Sequence, residues 1–316
     1  MNNKELLQFC INLTSADGFP EPRRGKVRDI YELNDRTLAI VATDRISSFD
    51  HILGEAIPCK GQILNRIAAF SMEKVKDIIT THTLDIPHPN ITIAHKCDPL
   101  PVEVVVRGYL TGHAWREYSA GRRVICGESM PDGMLEYDAF PKPILTPTTK
   151  ADAGHDEDIT QTEIVHKNLV SKQLWKSVSD TAFRLFERGT EVAAKQGLIL
   201  ADTKYEFGLL DGELMLIDEV HTPDSSRYFY KDSFETFAKE GTPPAQLSKE
   251  FVREWLKAHN FTGKQGQALP TLPDAFRMEV FQKYAELFRV LTGEEFTPVI
   301  TPDFDHTLSE ILKKYR

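Results

Sequence analysis

The sequence predicts an α+β fold in two domains with a helical C-terminal part. Strand-like runs flank Asn34-Asp35 and again Asp211-Gly212, two hairpin signals that imply antiparallel sheet. Helical periodicity fills the stretches between them and dominates the C-terminal part. The length, 316 residues, exceeds what a single core usually serves.

Taken in order, residues 3–13 read as a short amphipathic helix and residues 20–25 as a loop. Val27 to Leu33 and Thr37 to Ala42 make the first hairpin. Gln62 to Val75 carries Ile63, Ile67, Phe70 and Met72 at helical spacing. Pro87, Pro89 and Pro99 mark irregular connections. Val102 to Val106 is apolar on both faces except at Glu103, the pattern of a buried strand. Beyond Arg107-Gly108 the composition turns polar, so the domains are expected at 1–107 and 108–316. His113 to Ala120 reads as a short helix, and Pro141 to Thr149 as a loop rich in proline and threonine. Thr160 to Lys167 and Ser171 to Gln196 read as helices, the second stopped by Gly197. A strand at 198–202 leads into the second hairpin. In Phe276 to Leu291, the residues Phe276, Val280, Phe281, Tyr284, Leu287 and Phe288 form a broad apolar stripe, which points to core packing rather than a cofactor site.

Composition narrows the functional classes. A formal net charge of -9 argues against general binding to nucleic acid or anionic membrane, but leaves room for a local basic pocket. Cys10, Cys59, Cys97 and Cys126 lie far apart, without metal-ligand or redox-motif spacing, which suits a reducing cytoplasm. No run has signal-peptide or transmembrane character.

The second hairpin carries the most chemistry. A two-residue turn at Asp211-Gly212 would set Leu210 against Glu213 and Glu206 against Ile217. A three-residue loop would set Leu210 against Leu214, Phe207 against Ile217 and Glu206 against Asp218. The second register pairs apolar with apolar and is the one expected. It opposes two carboxylates, which repel unless a counter-charge intervenes. Mg2+ carrying phosphate oxygens would supply one; an edge hairpin with solvated acids is the plain alternative. Asp202, Lys204 and Glu206 alternate, so an extended chain puts them on one face, as an ion-pair ladder or as an anion-binding lysine held by acids.

Four further clusters could act. Arg23 to Asp29 is a basic run at a loop-to-strand junction, fit to cover phosphates or simply solvated; it lacks the Walker A spacing. Asp44, Ser47, Ser48 and Asp50 crowd a strand end, as ligand contacts or as caps. Thr146 to Asp156 gathers hydroxyls, Lys150 and the pair His155-Asp156, as a substrate loop or a surface connection. Asp224, Ser225, Ser226 and Arg227 suit a sugar phosphate or carboxylate, or an N-cap.

In collinear order, GKVRD (25–29), ATDRISSFD (42–50), VEVVVRGYLTG (102–112), TPTTKADAGHDED (146–158), LADTKYEFG (200–208) and IDEVHTPDSSR (217–227) closely resemble the SAICAR synthetase family, the phosphoribosylaminoimidazole-succinocarboxamide synthases. The likeness covers residues 20–230, and the length is similar to the family's longer, yeast-like form. The resemblance implies a two-domain fold related to ATP-grasp and kinase folds, with an ATP cleft between the domains and C-terminal helices packed on the second. It implies an ATP- and Mg2+-dependent ligase of purine biosynthesis that joins L-aspartate to carboxyaminoimidazole ribonucleotide (CAIR) through an acyl phosphate. Residue by residue, Lys26, Lys204 and Asp218 resemble the catalytic set. Lys26, Arg28, Lys150, Glu206 and Asp218 resemble the ATP contacts, with Glu206 and Asp218 holding the metal, and backbone around Glu103 to Val105 clasping adenine. Arg107, Lys204, Asp224, Ser226 and Arg227 resemble the CAIR set, with Asp50, which also matches an acid of the nucleotide and metal region. His113 stands where the family commonly has Ser, which puts that substrate contact in question. The implied partners are small molecules, without nucleic acid or membrane, and a monomer is favoured over an assembly. A small-metabolite kinase and a catalytically silent nucleotide-binding protein are the rival readings.

Overall fold

The structure, a computed structural model, describes residues 3–150 and 157–316. Two compact units emerge, each discontinuous in sequence: Met1–Phe70, His82–Lys96 and Leu247–Arg316 form one, Ser71–Thr81 and Cys97–Gln246 the other. This corrects the boundary expected after Arg107. The strand Asp98–Tyr109 runs straight through that point, and Arg107, Leu110 and Thr111 stay buried, so the polar turn in composition does not mark a unit's end.

In the first unit, an antiparallel sheet runs in the order Arg23–Arg24, Arg28–Asn34, Thr37–Ala42, Ile91–His95, Thr83–His88. The hairpin foreseen around Asn34-Asp35 forms its centre. Alternation sends Tyr31, Leu33, Ala39, Val41, Ile91 and Ile93 to one face, where Phe304, Leu308, Ile311 and Leu312 of the helix Phe304–Leu312 cover them. The expectation that the C-terminal helices pack on the second domain is therefore corrected: they complete the first. The apolar stripe of the helix Asp274–Thr292 is core, as its periodicity foretold.

In the second unit, the sheet order is Ala139–Thr149, Asp98–Tyr109, Leu198–Leu210, Glu213–Ile217, with Ser226–Tyr230 also paired to Leu198–Leu210. The helix Lys172–Lys195, capped by Ser171, buries Trp175, Val178, Ala182, Leu185 and Phe186. Residues 141–149, expected as a loop, belong instead to the edge strand Ala139–Thr149. Prolines are tolerated at an edge because no neighbour needs their missing N–H, and the register slips between Ala139 and Ile144 around Pro141 and Pro143.

The second hairpin adopts the register that was not preferred. Leu210 pairs with Glu213 and Glu206 with Ile217. Asp211 and Gly212 have φ 52° and 88°, a type I′ pair whose twist matches the flanking strands. Turn geometry outweighed the apolar pairing gained by one more loop residue.

Candidate active site

The site is organised by the alternation of one strand. Along Leu198–Leu210, Asp202, Lys204 and Glu206 share a face, while Thr203, Tyr205 and Phe207 point the other way. In register, Asp202 is flanked by Arg107 on one neighbouring strand and Arg227 on the other, and Glu206 stands opposite Glu103.

Around Asp202 lies an arginine cluster. Arg227 Nη1 donates to both carboxylate oxygens at 2.9 and 2.6 Å, Arg107 Nη1 donates at 3.3 Å, and the Thr111 hydroxyl donates at 3.2 Å. Arg107 Nε donates to Thr146 Oγ1 at 2.8 Å. Burial draws the Arg107 guanidinium below its usual value, and Asp202 pulls it back. A side chain at Gly112, where φ is +56°, would displace this guanidinium, since a Cβ there would sit 2.3 Å from Arg227 Nη2. The pocket is thus a buried carboxylate holding two guanidinium forks, suited to a phosphate or a carboxylate.

Two residues along the strand, Lys204 Nζ lies 3.0 Å from Glu103 Oε1 and 3.8 Å from Asp218 Oδ2, and pairs closely with Glu206. Lys150 pairs with the other Glu206 oxygen. The opposed carboxylates are therefore Glu103 and Glu206, not Glu206 and Asp218, and the Lys204 ammonium bridges them. Asp218 is not in the ladder. It follows the last paired residue with φ 62°, and that left-handed turn swings its carboxylate back over Lys204. Burial alone would raise Glu206, but Lys204 and Lys150 hold it well below the carboxylate range. Burial would lower Lys204, but Glu206, Glu103 and Asp218 hold it well above its ordinary value. Three carboxylates and two ammonium groups leave negative charge over.

The turn from Asp218 to Ser226 is pinned on the opposite face. Tyr205 Oη and His221 Nε2 are 2.8 Å apart, and Tyr228 Oη donates to the His221 carbonyl at 2.9 Å. Burial pushes His221 down to about 3, so its ring is neutral. Ser226 is paired in register with Thr203 and donates to its Oγ1 at 2.8 Å. This corrects its expected role as a substrate contact: strand alternation puts its hydroxyl on the face away from Arg227. Asp224 sits half-buried in the turn.

Two other expectations are altered. The backbone from Glu103 to Val105 is flanked in register by both neighbouring strands, so it is committed to the sheet rather than open to clasp adenine, and the Glu103 carboxylate meets Lys204. His113 Nε2 meets Asp158 Oδ2 at 2.9 Å, and this contact holds Asp158 below the usual range. His113 thus ties the start of the helix Gly112–Ser119 to Asp158, whose charge in turn acts on Arg107. His155 and Asp156 lie outside the described residues. In the first unit, Lys26 pairs with Asp50, both roughly half exposed, and Arg28 opens the strand Arg28–Asn34.

The family model for SAICAR synthetase matches residues 21–269. This chain belongs to the SAICAR synthetase family. It is 50% identical over 288 residues to the phosphoribosylaminoimidazole-succinocarboxamide synthase of Flavobacterium psychrophilum, covering 90% of this chain and 91% of that one. It is also 50% identical over 289 residues to the enzyme of that name from Bacteroides thetaiotaomicron, covering 90% and 92%. Among solved structures, it is similar to the SAICAR synthase from Saccharomyces cerevisiae complexed with SAICAR, at 35% identity and a TM-score of 0.79, covering 91% of this chain and all of that one.

As a SAICAR synthetase, the chain is an enzyme, a ligase of purine biosynthesis. Within this SAICAR synthetase, sequence reasoning missed Asp202, Thr111 and Thr146 as parts of the arginine cluster, although the 202-204-206 alternation pointed to the first. Tyr205 and His221 carried no signal, because their pairing needs the turn to fold under the strand. The donor set also suits a divalent cation. Glu206 and Asp218 both converge on an ammonium, and Mg2+ takes one or two carboxylates with phosphate oxygens. Among the described residues, no group of three or more His, Cys, Asp or Glu forms a metal cage.

Proposed function

We propose that this ligase joins L-aspartate to CAIR with ATP through an acyl phosphate. A CAIR carboxylate oxygen attacks the γ-phosphorus and ADP leaves. The aspartate amine then attacks the acyl carbon, loses a proton and expels phosphate, leaving an amide. A carboxylate is a poor electrophile, and phosphorylation gives it a leaving group. One observation carries the reading: an arginine pocket and a lysine-carboxylate cluster sit side by side on one strand face. The first suits an anionic nucleotide-like substrate and the second suits phosphoryl transfer.

In this reading Arg107 and Arg227, oriented by Asp202, take CAIR anions, with Asp224 and Asp50 as further contacts. Lys204 neutralises charge on the transferring phosphoryl, and Lys26, Arg28 and Lys150 take phosphate oxygens of ATP. Glu206 and Asp218 would hold Mg2+, which when bound neutralises phosphate charge in the transition state. The enzyme is proposed to work as a cytoplasmic monomer. Its cysteines are free thiols, and no described helix is long and apolar enough to cross a membrane.

The test is an ADP-release assay with each substrate omitted in turn and the products identified. Amide formation that requires aspartate supports the ligase. A stable phosphorylated product with aspartate present indicates a kinase, and no ADP release with all substrates present indicates a silent nucleotide-binding protein.

A further inference from the structure

The tip of the small hairpin Ser47–Ser48 to His51–Ile52 is strained. Ser47 pairs with Ile52 and Ser48 with His51, so Phe49 and Asp50 alone make the turn. Both are left-handed, with φ 50° and 62°. Asn, Asp and Gly favour this conformation; a bulky Phe there is an outlier. The tip presents Asp50 to Lys26 in a pair whose side chains are 43% and 52% exposed. So exposed a pair contributes too little stability to explain the strain. Strain that persists in a fold is held by its surroundings and often serves a site.

What holds it is a segment far along the chain. Phe261, 2% exposed, meets the rings of Phe49 and His51 edge-on at 6.4 and 5.4 Å. Gly263 lies so close that a Cβ would come 2.6 Å from Phe49 Cβ and 3.0 Å from its carbonyl oxygen. With φ +79°, that position disfavours any other residue. The His51 ring reaches the Gly263 carbonyl at 3.4 Å. Gln267 shapes this turn, its Oε1 accepting from Thr262 N, Thr262 Oγ1 and Lys264 N at 2.9, 3.2 and 3.0 Å. The family match at 21–269 takes in this segment but stops short of the helices after it.

We infer that residues 260–267 are a positioning element for the reaction, a brace that holds the strained Phe49–Asp50 tip so that Asp50 is set for substrate. The inference rests on the substrate role proposed for Asp50. Gly263→Ala should raise KM for CAIR about tenfold, since sub-ångström misplacement of a binding group is costly. Gln267→Ala, a change outside the buried core, should do so to a smaller degree. Asp50→Asn should raise KM at least as much. The deciding measurement is the double variant Asp50→Asn/Gly263→Ala, which should be no worse than Asp50→Asn, because both changes remove one function. Additive losses would overturn the brace. So would a wild-type KM in both Gly263→Ala and Gln267→Ala with only the melting temperature lowered. If those variants are silent while Asp50→Asn is impaired, the brace fails and the role of Asp50 stands. A silent Asp50→Asn overturns both.

Discussion

Asp202→Asn tests how the arginine pocket is built. Asp202 is 3% exposed, and its carboxylate takes hydrogen bonds from Arg227, Arg107 and Thr111. Removing its charge leaves two buried guanidinium groups facing one another across a neutral amide. Breaking one partner of a buried ion pair costs about 3–5 kcal/mol. Asn preserves volume and one acceptor oxygen, so the lower end, roughly 3 kcal/mol, is expected. For a unit of this size that corresponds to a fall in Tm of about 6 °C or more. The released arginines also lose their fixed orientation, so KM for CAIR should rise roughly tenfold, equivalent to about 1.4 kcal/mol. Thermal melts and steady-state kinetics on one preparation give both quantities. A lowered Tm with an unchanged KM would show that Asp202 serves only stability. A wild-type value for both would refute the electrostatic account.

Asp218→Asn should cut kcat by about a hundredfold at saturating Mg2+, since a carboxylate proposed to hold the metal that neutralises phosphoryl charge is lost; near-normal kcat would count against its role. Arg227→Lys should raise KM for CAIR with little change in kcat, because a point charge replaces a fork, and an unchanged KM would rule that contact out. His221 gives a pH prediction. Its folded value of about 3 lies below the ordinary 6.5, so the unfolded chain binds the proton first as pH falls. Stability from this group is intact above 6.5 and is lost toward pH 3, at up to about 1.4 kcal/mol per pH unit. Urea melts from pH 7 to pH 5 should show a shallower loss in His221→Gln than in wild type, and equal slopes would refute the buried neutral ring.

The primary structure by itself determined most elements and the chemistry they carry. Periodicity located the helices Lys60–Val75, Lys172–Lys195 and Asp274–Thr292, and alternation alone put Asp202, Lys204 and Glu206 on one face. Local rules suffice there because each depends on neighbours a few residues away. The ordered motifs named the family for the same reason, being short and contiguous.

Only the tertiary structure decided where those pieces meet. It closed the first unit with helices from the chain's far end, since the apolar face of the Arg28–Asn34 and Thr37–Ala42 hairpin is covered by Phe304, Leu308 and Leu312. It set Lys204 between Glu103 and Glu206, because cross-strand register depends on turn geometry and sheet order, which no local pattern encodes. It turned Ser226 away from the arginines and brought Gly263 beneath Phe49, contacts fixed by packing between segments remote in sequence.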